Sequence, residues 1–279
     1  MRLLVTHIFV LSLFLSPLRN VAQTLDVGLL AGGSYYYGDI INFNLQPEAI
    51  KPSFGAFVRY NMTPSFSIRG NAMYCRIFAA DSNLRTNNAD TKWQRFRNLA
   101  FYTDIFELSG VLEYNFIQDN TMGGYVRNRY IPYVFGGLGV FYFEPKAIHP
   151  ITGESINLRP LKLNGTSYSP VALAVPFGLG VRCYLNGNWQ VGLEMGLRFT
   201  STTYLDDISG SAKYPNADQL PNDDARIMVS RNVNSMNPTT QMVSIFEGKP
   251  RGKINYTTDF YYIYGLTITY KISENFGRF

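Results

Sequence analysis

Apolar and polar residues alternate with a period of two in eight segments of this chain, and that periodicity restricts the fold more than any other feature. In the clearest segment, Trp189–Phe199, the charged residues Glu194 and Arg198 lie on the face opposite the apolar side chains. Successive side chains of a β-strand point to opposite faces. The segments are roughly ten residues long, which is the length that a tilted strand needs to cross a bilayer. The pattern therefore predicts strands with lipid on one face and a polar interior on the other.

The predicted strands account for most of the chain after its first two dozen residues. They are 24–37, 53–60, 66–78, 102–116, 130–143, 172–185, 189–199 and 260–272. The predicted fold class is all-β: an eight-stranded antiparallel transmembrane β-barrel with long extracellular loops. Short connections belong to the periplasmic side of such barrels, and an even strand number puts both termini there. Segment 130–143 is apolar on both faces, so its inward face stays unassigned. Segment 79–98 is expected to be loop, and the loop 201–258 has room for a helical segment around 218–229.

The N-terminus predicts export from the cytoplasm. Arg2 is followed by the apolar run Leu3–Leu15 and a short polar stretch, which is typical of a cleaved secretory signal over residues 1–22. The barrel would then occupy residues 23–279. No later stretch approaches the roughly 20 apolar residues of a membrane helix. Export without a helical span, followed by membrane strands, predicts a bacterial outer-membrane location with outer-membrane lipid as a partner.

The charge balance excludes a nucleic-acid groove. The chain has 25 Lys+Arg against 20 Asp+Glu, and two of those arginines, Arg2 and Arg19, belong to the predicted signal. Proteins that bind nucleic acid through phosphates concentrate a much larger positive charge. Aromatic residues make up 15% of the chain, including 20 Tyr and 20 Phe, and girdles at two membrane interfaces would account for that share.

Catalysis has little support in the sequence. After the predicted signal there is one histidine, His149, and no His, Cys or carboxylate spacing suits a metal ion. An acyl-transferring or hydrolytic barrel would need His149 beside a carboxylate such as Asp206 or Asp207 at the outer rim. A lone loop histidine is far more typical of a solvated residue. The sequence thus predicts no enzyme, no cofactor or metal site and no small-molecule substrate.

The charged residues of the polar faces are expected to meet in the lumen. An eight-stranded barrel is just wide enough for its own side chains to fill it, and charges buried singly are costly. These residues are therefore expected to form a salt-bridged plug, and a narrow file for ions is the alternative. The predicted lumen set is Asp26, Arg59, Arg69, Glu107, Glu113, Arg182, Glu194, Arg198 and Lys271.

Six stretches, in order along the chain, resemble the PorG-like outer-membrane proteins of Bacteroidetes. Single stretches of glycine and aromatic residues are common in barrels, but six in this order, with the Tyr-Leu-Asp-Asp run after the seventh strand, are more specific. The resemblance covers nearly the whole chain beyond the signal. The stretches are Gly28–Asp39, Gly55–Asn61, Phe106–Phe116, Pro132–Val140, Ala174–Gly178 and Tyr204–Ile208.

The resemblance implies a non-enzymatic component of the type IX secretion system. Such a component would sit above a periplasmic ring made by proteins resembling PorK and PorN. An aromatic–arginine pair in a periplasmic connection, Tyr125 and Arg127, is a candidate contact for that ring. Paralogues of this type without a secretion role leave a second possibility open, namely a small channel or a surface-binding barrel.

Overall fold

The protein is described by a computed structural model that covers residues 24–40, 46–84, 89–119, 129–185, 188–209, 213–229, 231, 248–249, 251–252 and 258–272. The predicted signal at 1–22 and the candidate contact residues Tyr125 and Arg127 lie outside these ranges. The strands are β1 Thr24–Tyr37, β2 Lys51–Asn61, β3 Phe66–Ala80, β4 Ala100–Asn115, β5 Tyr130–Ile148, β6 Ser155–Asn157, β7 Val171–Tyr184, β8 Trp189–Thr200 and β9 Phe260–Lys271. Two short α-helices, α1 Ala89–Arg97 and α2 Asp223–Met228, lie in the long connections.

Eight of the strands close into an antiparallel barrel. Each strand pairs with the next one around the barrel, from β1 to β5 and then through β7, β8 and β9. Pairing of β9 with β1, which sets Leu29 opposite Ile268, completes the ring. The three-residue strand β6 pairs only with the last residues of β5. The fold-class prediction is confirmed, since full closure leaves no unpaired edge in the barrel.

Alternation along each strand gives the barrel an apolar outer surface. Leu193, Phe177 and Leu266 each expose more than half of their side-chain surface, whereas Glu194, between Leu193 and Met195, is 6% exposed. Contiguous apolar surface of this extent is unfavourable in water and suits lipid. Among the described residues, no α-helix combines the length and the apolar character that crossing a bilayer requires.

The long connections pack into a cap over one end of the barrel. Leu205, Ile208 and Met228 from these connections are buried against residues of the upper strand ends, such as Ile77 and Phe143. The short connections lie at the opposite end, where β2 turns into β3 and β7 into β8. The cap, which has its own hydrophobic core, therefore closes this end of the barrel.

The structure assigns the face that the sequence left open and corrects one loop. In β5, whose inward face the sequence leaves unassigned, Tyr133, Phe135 and Phe143 point inward, so aromatic side chains occupy this part of the lumen. Part of segment 79–98, predicted as loop, forms α1. The side chain of Arg97, at the end of this helix, binds the buried carboxylate of Asp81 through two nitrogens. That anchoring ion pair depends on tertiary contacts, which local sequence does not reveal. The helical segment expected around 218–229 is present as α2.

Candidate functional site

All nine residues of the predicted lumen set are buried inside the barrel. The most exposed of them, Lys271, shows only 8% of its surface. Their side chains come from seven of the eight barrel strands, all except β5. Six of the nine form one connected ion-pair network in the half of the lumen near the short turns: Asp26, Arg59, Arg69, Glu113, Arg182 and Glu194.

Glu113 on β4 is the centre of that network. Its carboxylate oxygens lie 3.0 Å from Nε of Arg59, 3.0 Å from Nε of Arg69 and 3.2 Å from a terminal nitrogen of Arg182. These three arginines belong to β2, β3 and β7. Asn115, two residues further along β4, also accepts a hydrogen bond from Arg182. One carboxylate thus ties four strands together.

Arg69 carries the network across the lumen to β8. Its two terminal nitrogens donate hydrogen bonds of 2.6 and 3.0 Å to the two carboxylate oxygens of Glu194. Paired N–H···O bonds of this kind are among the strongest between side chains. Tyr133 adds a third donor to the same carboxylate at 2.7 Å. The guanidinium lies 5.0 Å from the ring centroids of both Phe57 and Phe135, so aromatic faces cover its two sides.

Asp26 and Lys271 complete the end of the lumen near the short turns. Asp26 accepts hydrogen bonds from Arg59 at 3.2 Å and from the amide of Asn61 at 3.0 Å. Lys271 is directly opposite Asp26 in the pairing of β1 with β9. The charged residues at this level therefore belong to adjacent strands, whereas Arg69 and Glu194 belong to strands on opposite sides.

Glu107 and Arg198 form a separate pair nearer the cap. The Arg198 Nε lies 3.5 Å from a carboxylate oxygen of Glu107, and Tyr261 donates a hydrogen bond of 2.7 Å to the same oxygen. No ion pair in the described part of the chain joins this pair to the Glu113 network. The nine residues thus form a braced network, a second pair above it and Lys271 at the lower rim.

A cluster of three aspartates in the cap was not found from the sequence. Carboxylate oxygens of Asp39, Asp206 and Asp259 lie within 4.8 Å of one another, and all three residues are buried. The hydroxyl of Tyr36 lies between them, 2.8 Å from a carboxylate oxygen of Asp206 and 3.2 Å from one of Asp259, and its single proton is shared between these two acceptors. Backbone N–H groups of Leu205 and Ile208 donate to Asp259 and Asp206.

The environment of this cluster favours protons over three separate charges. Burial, and after it the nearby charge of Asp39, raises the pKa of Asp206 well above its usual value. Burial, followed by the charges of Asp206 and Asp39, does the same to the pKa of Asp259. Oxygen ligands at this spacing are also those that Ca²⁺ or Mg²⁺ takes. The three residues come from segments far apart in the chain, so no spacing in the sequence predicts their meeting.

His149 is not the solvated residue expected from the sequence. It is 3% exposed, and its Nδ1 accepts hydrogen bonds from the backbone N–H groups of Ile151 and Thr152. These two bonds close a tight turn on the ring, and they give Nδ1 hydrogen-bond partners inside the loop. The carboxylate nearest to its Nε2 is Asp224, at 3.9 Å. Asp206 belongs to the cluster around Tyr36.

Asp207 likewise has partners other than His149. Its carboxylate lies 3.3 Å from Arg251 and accepts a hydrogen bond of 2.7 Å from Tyr168. Burial raises the pKa of Asp207, and the charge of Arg251 acts in the opposite direction. The described contacts therefore do not assemble a catalytic group from His149 with either Asp206 or Asp207.

A closed eight-stranded barrel with a polar lumen and an apolar outer surface defines a membrane-spanning β-barrel of the outer-membrane type. The chain belongs to the DUF6089 family, a domain of unknown function, whose model matches residues 2–222.

Several solved outer-membrane proteins share this general architecture. A major outer-membrane protein from Thermus thermophilus is 12% identical, with a TM-score of 0.39 over 89% of this chain and 99% of its own. The attachment invasion locus protein Ail of Yersinia pestis is 8% identical, with a TM-score of 0.38 over 90% and 99% of the two chains. OprG from Pseudomonas aeruginosa is 10% identical, with a TM-score of 0.38 over 88% and 95%. No curated protein matches the sequence significantly.

Proposed function

We propose that this chain is a non-enzymatic, non-conducting barrel that anchors or assembles part of the type IX protein secretion machinery. The observation that carries the first half of the proposal is the braced lumen, in which Glu113 and Glu194 hold arginines from β2, β3 and β7. The second half rests on the resemblance to PorG-like proteins. Because side chains fill the lumen, the function is expected to use the outer surfaces of the barrel, as assembly with other proteins does.

The filled lumen favours a scaffold over a channel. In an eight-stranded barrel the interior has room only for side chains. Arg69 and Glu194 meet across that interior at 2.6 Å, with Phe57 and Phe135 on either side of the guanidinium. A folded cargo protein is far larger than this cross-section. Ions would have to separate fully buried charge pairs, which is costly in a low-dielectric interior.

The proposed partner is a periplasmic ring of proteins resembling PorK and PorN. The described ends of the barrel, Thr24 and Ile272, lie at the same rim as the short turn between β2 and β3. In outer-membrane barrels that rim faces the periplasm. Tyr125 and Arg127, in the connection between β4 and β5, remain the proposed contact.

A clean deletion in the native host tests this proposal. We expect export of type IX cargo proteins to stop, while permeability to small dyes stays as in the parent strain. Restoring the gene with Tyr125→Ala and Arg127→Ala should return the barrel to the membrane but weaken co-purification of the ring proteins. Normal cargo export in the deletion strain would overturn the proposal.

The matched control is a double substitution at an external loop tip. Ile151→Ala with Glu154→Ala changes two exposed residues and should leave co-purification unchanged. Trimming 217–228 would be a poor control, because Ala225 and Met228 are buried in the cap.

A surface-binding or small-channel barrel is the second candidate. The packed cap favours the surface-binding form, because it presents a folded external surface. The purified protein should give no ion current in a planar bilayer if the lumen is closed. A steady current would favour the channel, and normal secretion without current would favour surface binding.

A further inference from the structure

The outer surface of β3, β4 and β5 changes from apolar to charged in successive rows toward the cap. Strand register places Ala72, Leu108 and Val140 side by side in one row. The next outward-facing row is aromatic and consists of Tyr74, Phe106 and Tyr142. The row above that is Arg76, Asp104 and Glu144. Aromatic girdles mark the membrane interface, so the charged row lies at the level of lipid headgroups.

This charged row is confined to one side of the barrel. Among the described barrel strands, the charged side chains that alternate outward are Arg76, Asp104, Glu144 and Lys146, all on β3 to β5. On the opposite side, at the level of the cap, aromatic residues such as Tyr37, Phe199 and Phe260 contact one another. A general requirement for solubility at the rim would distribute charges around the whole barrel. The confinement indicates a specific local surface.

The cations of this surface keep free donors. Arg76 uses its Nε to bind Asp104 at 2.6 Å, and Arg159, from the connection after β6, uses its Nε to bind Glu144 at 3.0 Å. The bonds of Arg159 to Glu144 use Nε and leave its terminal nitrogens available. The guanidinium of Arg76 also interacts with the Tyr74 hydroxyl and lies over the ring of Tyr102. The side chains of Arg76 and Arg159 are 41% and 34% exposed, and that of Lys146 is 30% exposed. Two carboxylates therefore orient cations that can still bind an anion.

A cleft and a groove on this surface together are complementary to an amphiphile, which has a charged end and an apolar end. The cleft, of about 500 Å³, is lined on its upper side by Lys146, Arg159 and Asn157. The groove below it, of about 670 Å³, has a floor of small residues, Ala56 and Ala72. The two cavities share the aromatic row of Tyr74, Phe106 and Tyr142. An acyl chain fits the lower part and a charged headgroup fits the upper part.

The geometry points to a binding site for one lipid with an anionic, phosphate-bearing headgroup, held on the outside of β3 to β5. Lys146 and Arg159 line the cleft and Arg76 lies beside it on Asp104, so three cations outnumber the two carboxylates Asp104 and Glu144. Terminal guanidinium nitrogens match phosphate oxygens in geometry. The aromatic row and the apolar groove hold the acyl chains, which fixes the lipid in place beside the barrel.

Native mass spectrometry of the purified protein tests the charge requirement. The protein in detergent micelles is incubated with dimyristoyl phosphatidylglycerol or with dimyristoyl phosphatidylcholine, and the retained lipid is counted. We expect phosphatidylglycerol to be retained in preference. Lys146→Gln with Arg159→Gln should lower its retention about tenfold, because charge-assisted hydrogen bonds are lost. Lys146→Arg with Arg159→Lys should restore much of it, which separates lost charge from lost folding.

Two matched controls test whether the site is specific. Arg129 is an exposed arginine at the opposite rim, and Arg129→Gln should leave retention unchanged. Ala72→Phe fills the groove and should lower retention of both lipids, whereas Leu266→Phe, at an exposed position on β9 opposite β4 in the ring, should not. Heat-dependent gel mobility checks that each variant is folded.

Several outcomes would overturn the inference. Equal retention of the two lipids, or an equal loss with Arg129→Gln, would mean that the rim attracts lipids only generally. A rise in melting temperature with inorganic phosphate alone, equal to that with phosphatidylglycerol, would mean that the site takes a free anion. Secretion is not measured in this experiment, so its result is independent of the function proposed above.

Discussion

The two halves of the barrel interior are equally buried but are held together by opposite kinds of contact. Near the short turns, Glu113 and Arg69 belong to a network of ion pairs and charge-assisted hydrogen bonds, with aromatic rings packed against the guanidinium of Arg69. Toward the cap, residues such as Ile77, Phe101 and Leu205 pack without charge. Ion pairs demand strict geometry because a misplaced buried charge is costly, whereas apolar packing tolerates adjustment. We therefore expect the half of the barrel near the short turns to be rigid and the cap to unfold separately from it.

The largest effect is expected from the centre of the charged half. Glu113→Gln keeps the side-chain volume but removes the charge that three buried arginines share. Removing one partner from a buried ion pair costs about 3–5 kcal/mol. A urea unfolding titration in lipid vesicles should show this loss in the free energy of unfolding, and Glu154→Gln in an exposed loop should change it little. A loss of less than about 1 kcal/mol in the free energy of unfolding would mean that the network is hydrated. The two halves of the interior would then differ less in energetics than in the kinds of contact they make.

A substitution in the cap should have an intermediate and local effect. Leu205 is fully buried in the cap, and Leu205→Ala should destabilise the cap by about 2–4 kcal/mol through the cavity it leaves. Limited proteolysis should cut the long connections faster, while heat-dependent gel mobility shows the strands still closed. Ile151→Ala, at an exposed position, is the control. Simultaneous loss of the cap and the barrel would show that the two halves unfold as one unit.

The smallest effect is expected from pH acting on the aspartate cluster. The pKa values of Asp206 and Asp259 are raised in the folded protein, chiefly by burial. The stability that these carboxyl groups contribute is fully present below their unfolded pKa of about 4 and is lost as the pH rises through the raised values. The cap should therefore be most resistant to urea in acid and weaken toward alkaline pH.

Asp259→Asn is the variant that isolates this effect. It removes one member of the cluster and should flatten the pH dependence of cap unfolding, because fewer carboxyl groups compete for protons. Asp218→Asn, an exposed carboxyl in the same cap, should keep the slope of the unsubstituted protein. An unchanged slope in Asp259→Asn would mean that another group causes the pH dependence.

The sequence predicts the charged half of the interior far better than the apolar half. Where a charge such as Glu194 stands between outward-facing Leu193 and Met195, alternation identifies the inward face without ambiguity. In β5 the inward residues include Phe135 and Phe143, so the contrast between the faces disappears and the pattern gives no answer. Strand β1 was predicted with the bounds that the structure has.

The cap lies beyond what periodicity can predict. Asp39, Asp206 and Asp259 meet only because two connections, the one after β1 and the one between β8 and β9, fold over the barrel, and such contacts between distant segments leave no periodic signal. The burial of His149 has a local cause that periodicity also does not reveal, since its own neighbours Ile151 and Thr152 close a turn on its ring. Of the two aromatic rings that cover Arg69, alternation places Phe57 on the inward face, whereas Phe135 on β5 stays unassigned because inward aromatic residues look like lipid-facing ones in a sequence.

Several hydrogen-bonded partners in the barrel interior are far apart along the chain, and this separation bears on how the barrel assembles. Arg69 is 125 residues from Glu194, and Tyr261 is 154 residues from Glu107. The first four strands already contain the paired charges Asp26, Arg59, Arg69 and Glu113, but the second carboxylate that binds Arg69, Glu194, belongs to β8. Entry of those strands alone into lipid would bring Arg69 into the membrane without Glu194. Insertion of the strands as an already closed barrel would avoid that cost.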